Sequence, residues 1–268
     1  MSDQGRTVSS ADQSGTPGEL IAGRQAVLEV LRSGEPLCIK LAEGVKGKII
    51  NEITALARQK RIPLVFLPKN DFHKEAGEIS GNQGVAAVVA PFKYYDLDEL
   101  ISISRSAKAD PLEAPFLLML DHIEDPHNLG AVMRTADAAG VHGLIIPGQR
   151  AAGVTAAVRK IASGAAERIP VALVGNLNRA AEVLKKEGFW LYGAESDGDE
   201  DYYRVDYRRP LVLIIGSEGR GLSRLLRRNC DLVISIPMPG NKAGSLNVST
   251  AAAVLIYAAL GQRKGWAT

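Results

Sequence analysis

Three short polar segments carry the residues of this chain that could do chemistry. They read DPHNLGAVMR at 125–134, GSEGRG at 216–221 and SLNVS at 245–249. Each follows a predicted strand or opens a predicted helix, and open α/β sheets bind their ligands where strands give way to loops. Asn128, Arg134, Glu218 and Asn247 supply two amides, a guanidinium and a carboxylate. Such groups orient a substrate and stabilise charge as it develops.

Taken singly, each segment also has a purely structural explanation. Asn128 is a good N-cap for the helix that follows, and the glycines of 216–221 make a tight turn. Their spacing is not the GxGxxG of dinucleotide-binding folds, and no Lys-Ser or Lys-Thr follows as in a phosphate-binding loop. Ser217 does not lie in a GxSxG motif. These patterns argue against a nucleotide-dependent oxidoreductase and against a serine hydrolase.

Histidine and cysteine usage predicts neither a metal site nor a disulfide. The four histidines show no HExxH or other paired ligand spacing; they are His73, His122, His127 and His142. Cys38 and Cys230 are far apart and in no CxxC pattern, which favours a reducing, cytoplasmic location. No apolar run reaches the roughly 18 residues of a membrane helix, so we expect no membrane association.

The second half of the chain alternates predicted strands and helices. The strands are predicted at Phe116–His122, Gly143–Pro147, Val171–Val174, Trp190–Ala194, Leu211–Gly216 and Leu232–Pro237. The helices are predicted at Leu129–Ala139, Val154–Ser163, Leu177–Glu187, Gly221–Arg228 and Leu246–Leu260. The strands are almost continuously apolar, and only 5% of the 268 residues are aromatic. This pattern predicts an α/β fold, with an open, mostly parallel sheet covered by helices on both faces.

A smaller α/β unit is predicted ahead of it. Strands are expected at Cys38–Ala42, Pro63–Leu67 and Gly84–Ala90, with helices at Leu20–Gly34, Gly47–Gln59 and Lys69–Gly77. We therefore expect a disordered polar tail at 1–17, a first domain at 18–93, an acidic linker at 94–113 and a second domain at 114–268. The net charge of +2 permits an anionic partner without demanding one.

Together and in this order, the three segments resemble the signature motifs of the SpoU (TrmH-type) RNA ribose 2′-O-methyltransferases of the SPOUT class. The resemblance covers LDHIEDPHNLGAVMRTADAAGVHGLIIP, LVLIIGSEGRGL, and ISIPMPG with SLNVSTAAAVLIYAAL. The first half, from IAGRQAVLEVLRSG to GNQGVAAVVAP, is similar to the RNA-binding extension of this family, which has a small ribosomal-protein fold. One departure is the turn Asn241–Gly244, which is one residue longer than the family pattern.

The resemblance implies a deep C-terminal trefoil knot, a homodimer formed through the second domain, and S-adenosylmethionine as cofactor. By motif match, Arg134 activates the ribose hydroxyl, while Asn128, Glu218 and Asn247 hold the arginine and the ribose in place. The implied cofactor-binding residues are Gly216, Ile236, Leu246, Leu213 and Ser245. The candidate RNA-binding cations of the first domain are Arg24, Lys46, Lys48, Arg58, Lys60 and Arg61, although each also fits a solvated helix face.

The implied reaction is methyl transfer to a ribose 2′-OH, with a guanosine of 23S ribosomal RNA as the expected target. An arginine is a poor base because its pKa exceeds ~12, so we expect Arg134 to bind a phosphate and stabilise the developing alkoxide. Two alternatives remain open at this point. One is a transfer-RNA methyltransferase of the same family, and the other is a non-catalytic RNA-binding or ribosome assembly factor.

Overall fold

A computed structural model describes residues 18–33, 36–76, 82–106, 114–240 and 245–266. The predicted tail at 1–17 and the lengthened turn Asn241–Gly244 therefore lie outside the described residues. The chain divides into two compact units, of which the first holds the residues up to Lys93 together with Thr155–Glu167. The second unit holds Tyr94–Val154 and Arg168–Thr268.

The first unit is a small sheet with helices on both faces. Its strands are β1 (Glu19–Ala22), β2 (Cys38–Ala42), β3 (Leu64–Leu67) and β4 (Val85–Val89), and its helices are α1 (Arg24–Ser33), α2 (Lys48–Gln59) and α3 (Lys69–Ala76). The strand order is β1-β4-β2-β3, with only β2 and β3 parallel to each other. Because side chains alternate between faces, Ile39 and Leu41 pack with α1 and α2 while Ala42 packs with Phe72 of α3.

One predicted helix of this unit begins too early. The helix predicted at Leu20–Gly34 is in fact a strand, β1, followed by α1 from Arg24. Gly23, at a φ of 114°, separates the two elements, and β1 pairs antiparallel with β4. A four-residue segment with only three apolar residues fits either a strand or the first turn of a helix, and pairing with β4 decides between them.

Segment 155–167 belongs to the first unit, although the sequence placed it in the second domain. Its helix α6 (Ala156–Ala162) contributes Ala156 to the apolar core of the first unit. Arg159, only 6% exposed, donates from Nε to Glu167 across 2.9 Å and from Nη1 to the Ala90 carbonyl across 2.8 Å. A buried cation satisfied by a carboxylate and a carbonyl fixes this segment to the end of β4.

Seven strands within the described residues form the sheet of the second unit, and each pairs in parallel with its neighbours. They are β5 (Phe116–Asp121), β6 (Gly143–Pro147), β7 (Val171–Val174), β8 (Trp190–Ala194), β9 (Glu200–Asp201), β10 (Leu211–Gly216) and β11 (Leu232–Ser235). The order is β7-β6-β5-β10-β8-β11-β9. Strand β10 is therefore central, with β5 on one side and β8 on the other.

Helices cover this sheet as the apolar strands require. They are α4 (Leu97–Ser106), α5 (Pro126–Ala138), α7 (Leu177–Lys186), α8 (Arg224–Asn229) and α9 (Val248–Arg263). Val212 and Ile214 of β10 share a core with residues of α4, α7 and α8. Leu213 and Ile215 point to the opposite face, and α9 packs against both β10 and α5. No helix in the described part of the chain is long and apolar enough to span a bilayer.

Residues 94–106, the described part of the segment predicted to be a linker, belong to the second unit. Tyr95 forms a parallel bridge with Ala172 of β7, which extends the sheet edge. Leu100 of α4 is fully buried, and a Cβ added at Gly143 would lie 2.4 Å from its Cδ1 atom. The described acidic residues of this segment, Asp96, Asp98 and Glu99, thus lie at the exposed start of α4 rather than in a free connection; residues 107–113 lie outside the described range.

Candidate active site

A cavity of about 670 Å³ lies at the carboxyl ends of β8, β10 and β11. Its walls are formed by residues 194–196, 215–221, 234–238 and 245–246, together with Val248, Ala251 and Leu255 of α9. The volume falls within the range that small-molecule and cofactor sites occupy. The cavity therefore lies at the loops that follow parallel strands, which is where the sequence pattern predicts a ligand.

Two carboxylates hold the loop that follows β10. Asp121, the last residue of β5, accepts a hydrogen bond from the backbone N of Ser223 across 2.6 Å. Glu195, the first residue after β8, accepts one from the backbone N of Leu222 across 2.6 Å through its Oε1 atom. Because β5 and β8 flank β10, the two carboxylates accept hydrogen bonds from the consecutive backbone amides of Leu222 and Ser223 from opposite sides. The loop wall of the cavity is thereby fixed to the sheet.

Two glycines allow this loop to fold back on itself. A Cβ at Gly216 would lie 2.2 Å from the carbonyl carbon of Gly221, a contact that no side chain permits. Gly221 has a φ of 65°, and a Cβ there would lie 2.4 Å from Oε2 of Glu195. The amide of Gly221 donates to the Ser217 carbonyl across 2.9 Å, which closes the turn. These glycines serve close backbone approach rather than phosphate binding.

The cavity wall contains a polar atom that lacks a partner. The Oγ atom of Ser217 is buried and makes no hydrogen bond to any described residue. A buried hydroxyl normally finds a hydrogen-bond partner, since an unsatisfied one costs free energy. A ligand with polar groups in this cavity would supply that partner, so the residues present fit a polar cofactor.

Asn247 connects the cavity wall to helix α5. Its Nδ2 atom donates to Oδ1 of Asn128 across 3.1 Å, and its Oδ1 atom accepts from the backbone N of Ser249 across 2.9 Å. Asn247 is thus the N-cap of α9, and its neighbours Leu246 and Val248 line the cavity. The structure therefore joins two of the predicted motifs, which are 119 residues apart.

Asn128 does not cap α5, contrary to the sequence prediction. The helix begins at Pro126, and Asp125 is its N-cap, accepting from the backbone N of His127 across 2.9 Å. Proline is favoured in the first helical turn because it has no amide proton to lose. The side chain of Asn128 is therefore not used as an N-cap, and its Oδ1 atom can accept the hydrogen bond from Asn247.

Arg134 and Glu218 are exposed and separate from this amide pair. Arg134 lies six residues after Asn128 on α5, about 9 Å further along the axis. It makes no hydrogen bond or ion pair with another described residue, so the expected contacts from Asn128, Glu218 and Asn247 to Arg134 are not formed. Glu218 lines the cavity, whereas Arg134 does not.

Four of the five predicted cofactor-binding residues line the cavity. They are Gly216, Ile236, Leu246 and Ser245. Leu213 was wrongly placed there, because it is fully buried within β10, where it pairs with Leu118 and Tyr192. Ile215 lies two residues further along the same face and occupies the wall instead.

Glu195 is a charged residue of the cavity wall that the sequence motifs did not identify. It belongs to none of the three polar segments, and its signal is only its place directly after the predicted strand Trp190–Ala194. Its backbone N donates to the Ile234 carbonyl across 3.0 Å, so the residue is held between β8 and β11.

The chemistry of Cys230 excludes it as a nucleophile. Burial raises the pKa of its thiol to about 12, with nearby Asp231 adding to the shift. The thiolate form that would attack a substrate is therefore absent near neutral pH. Neither cysteine forms a disulfide, and no three His, Cys, Asp or Glu side chains of the described residues are grouped to hold a metal ion.

The six candidate RNA-binding cations of the first unit fall into two groups. Arg24, Lys46 and Lys48 form one, since Nη1 of Arg24 lies 3.1 Å from the place that a Cβ at Gly47 would take. Lys46 and Lys48 flank that glycine and are exposed. This group marks the loop between β2 and α2.

The other three cations lie at the far end of α2. Arg58 is in the last turn of the helix, and Lys60 and Arg61 follow it, all three exposed. Lys48 and Arg58 are separated by about 15 Å along the helix axis. The sequence could not distinguish these two surfaces, because it shows only that both ends of one helix are basic.

Two family models match the chain over both units. The model described as the SpoU rRNA Methylase family matches residues 115–257, and the one described as RNA 2′-O ribose methyltransferase substrate binding matches residues 20–95. The TrmH family protein YacO of Bacillus subtilis, named as a tRNA/rRNA methyltransferase, is 43% identical over 242 residues, which cover 89% of this chain and 94% of that protein.

Solved structures share the fold. The SpoU methyltransferase AviRb from Streptomyces viridochromogenes is 27% identical with a TM-score of 0.73, over 93% of this chain and 91% of that one. The structure of AviRb in complex with its cofactor AdoMet is 26% identical with a TM-score of 0.71, over 92% of this chain and 90% of that one.

Proposed function

The chain belongs to the SpoU rRNA Methylase family, and from this premise we propose that it transfers a methyl group from S-adenosylmethionine to a ribose 2′-OH of RNA. The observation that carries the proposal is the cavity beside the Asn128–Asn247 bond, built by the motifs that resemble this family. The target we propose is a guanosine in 23S ribosomal RNA.

The cavity residues suit an adenosyl cofactor. Backbone groups of Gly216, Ile236 and Leu246 can meet the polar edges of an adenine, and Ile215 and Leu246 offer apolar surface to its ring. The orphaned Ser217 Oγ can take a hydrogen bond from the ligand. When bound, the cofactor supplies an activated methyl on sulfur, so that a C–O bond forms at the 2′ oxygen as the S–CH₃ bond breaks and the hydroxyl loses its proton.

Arg134 acts by charge and position rather than as a base. A guanidinium is a permanent cation and a poor base, and that of Arg134 is not engaged with other described side chains. It can therefore bind an RNA phosphate through two N–H groups and stabilise the alkoxide that forms as the 2′-OH is deprotonated. The released proton passes to water, and the RNA phosphate beside Arg134 shares in its transfer.

The amide pair and Glu218 position the reacting groups. Asn247, at the start of α9, donates a hydrogen bond to Asn128 of α5. Because Arg134 lies on α5 as well, this bond fixes the position of α5 relative to the cavity wall. Glu218 lines the cavity and has no ion-pair partner among the described residues, which leaves its carboxylate available to an RNA or cofactor group.

The first unit provides the RNA-binding surface in this proposal. We assign that role to Arg24, Lys46 and Lys48, because Phe66 on the edge strand β3 lies at the same end of the sheet and is 56% exposed. The parallel strands β2 and β3 have their carboxyl ends at the same end of the sheet, and the loop that contains Lys46 follows β2 there. Cations at the same end of a sheet as an exposed aromatic ring suit phosphates and an unstacked base.

The remaining parts of the proposal concern assembly and location. We propose a homodimer formed through the second unit, as the family resemblance implies. Cys38 and Cys230 form no disulfide, and this fits a cytoplasmic enzyme.

One assay tests the proposed function and separates its alternatives. The protein is incubated with S-adenosylmethionine labelled on the methyl group and, in parallel, with unmodified 23S rRNA, 16S rRNA and bulk tRNA. Label in 23S rRNA alone supports the proposal, and label in tRNA alone supports the transfer-RNA alternative. Binding of RNA without any label transfer supports the non-catalytic assembly factor.

A further inference from the structure

Glu195 lines the cavity, and one of its two carboxylate oxygens is already engaged in a hydrogen bond. Oε1 accepts the Leu222 amide across 2.6 Å, whereas Oε2 receives no hydrogen bond from a described residue. An ionised carboxylate can accept about four hydrogen bonds, so most of its capacity is unused. Glu195 also has no ion-pair partner among the described basic residues, since the nearby Arg227 pairs with Asp197 across 2.8 Å.

The position of that free oxygen is fixed. The backbone of Glu195 is held by the Ile234 carbonyl, and its Oε1 atom is held by Leu222. Oε2 occupies the space that a Cβ of Gly221 would fill, at 2.4 Å from that point. A carboxylate fixed at two points needs no reorganisation to accept a hydrogen bond, and such preorganisation favours binding.

We infer that Oε2 of Glu195 accepts a hydrogen bond from a ribose hydroxyl of the adenosyl cofactor and so selects a ribonucleoside in this cavity. The inference rests on the proposed function, because it assigns a residue to the cofactor proposed there. A carboxylate at the end of a parallel strand is a good acceptor for a ribose hydroxyl, which is a neutral donor. Glu195 is thus a specificity-determining residue as well as one that positions the loop.

The two roles of Glu195 can be separated by a matched residue. Asp121 accepts a hydrogen bond from the next amide of the same loop, that of Ser223, but does not line the cavity. Asp121→Asn weakens the loop attachment without changing any group that a ligand touches. Glu195→Ala removes both the loop attachment and the proposed ribose acceptor, while Glu195→Gln keeps an oxygen for Leu222 and removes the charge.

The test measures dissociation constants by calorimetry for S-adenosylhomocysteine and for its 2′-deoxy and 3′-deoxy analogues. Wild type should prefer the parent compound over at least one deoxy analogue by about tenfold or more, as a hydrogen bond to a charged acceptor implies. That preference should fall to about twofold or less in Glu195→Ala, fall partly in Glu195→Gln, and persist in Asp121→Asn.

Each other outcome counts against a specific statement. If the preference persists in Glu195→Ala, or in Glu195→Gln should the alanine variant not fold, the inference is wrong. If Asp121→Asn loses it equally, the effect comes from loop geometry and the inference is also wrong. If wild type binds all three compounds equally, only the inference fails. If wild type binds none of them, the proposed function fails and the inference fails with it.

Discussion

Asn247 donates its side-chain amide to Asn128 across 3.1 Å, and this bond joins the N-terminus of α9 to the first turn of α5. One helix borders the cavity, and the other carries Arg134. The hydrogen bond therefore links the cavity wall directly to the helix of the proposed catalytic arginine.

Loss of this link should lower activity more than stability. Asn247→Ala removes the cap of α9 and the bond to Asn128, so we expect a loss of about 1 kcal/mol in the free energy of unfolding. The rate of methyl transfer should fall by about 100-fold, because a small misplacement of the reacting groups can cost that much. Asn176→Ala is the control, since Asn176 caps α7 by accepting from the Arg179 amide across 3.0 Å and lies outside the cavity wall. Equal activity in the two variants would contradict the positioning role.

The turn of the cavity loop should tolerate no side chain at Gly216. Gly216→Ala would place a Cβ 2.2 Å from the backbone of Gly221, which cannot move aside as a side chain can. We expect binding of S-adenosylhomocysteine to be lost in calorimetry. Gly175→Ala should bind as wild type, because a Cβ there meets nothing within 4 Å and its φ is ordinary. Wild-type affinity in Gly216→Ala would show that the loop does not form the binding wall.

The segment 155–167 should be needed for the stability of the first unit. Arg159→Met leaves Glu167 without the partner that now accompanies it in a buried site, and breaking such a pair costs about 3–5 kcal/mol. Arg32→Met is the control in the same unit, since Arg32 pairs with Glu29 and Glu52 at the surface, where water already screens the charges. Chemical denaturation followed by circular dichroism should show a large change for Arg159 and a much smaller one for Arg32. Equal changes would show that the Arg159 contacts do not stabilise the first unit.

Cys230 should make stability fall at alkaline pH. Its folded pKa of about 12 lies above the ordinary value of 9.0, so the native state favours the thiol over the thiolate. The stabilisation is complete below pH 9 and is lost as the pH rises toward 12. Between pH 8 and pH 10.5, wild type should lose about 2 kcal/mol more unfolding free energy than Cys230→Ala, measured by urea denaturation. Parallel losses in the two proteins would show that this thiol is not buried.

Much of the second unit could be predicted because its strands are continuous apolar runs bounded by polar loops. Gly143–Pro147, Val171–Val174, Trp190–Ala194 and Leu211–Gly216 have the bounds that were predicted. The first unit was harder, because Glu19–Ala22 is too short for its pattern to distinguish a strand from a helix. Only its pairing with β4 makes it a strand, and pairing between distant segments is not a local property.

The site shows the same division between local and distant information. The motifs identified the residues that line the cavity, but Leu213 was included where Ile215 belongs, since the burial of a strand residue depends on the helix above it. Glu195 gave no motif signal, as its role comes from β8 lying beside β10. The trefoil knot and the dimer stay predictions from the family resemblance.

The central claim is tested most directly by locating the transferred methyl group. RNA methylated by wild type, by Arg134→Ala and by Arg179→Ala is digested to nucleosides, and the label is identified by mass spectrometry. Arg179 is an exposed arginine of α7 and serves as the matched control. We predict a 2′-O-methylated ribose with wild type and Arg179→Ala, and no product with Arg134→Ala, whose affinity for S-adenosylhomocysteine stays that of wild type. A methyl group found on a base, or wild-type turnover by Arg134→Ala, would contradict the account.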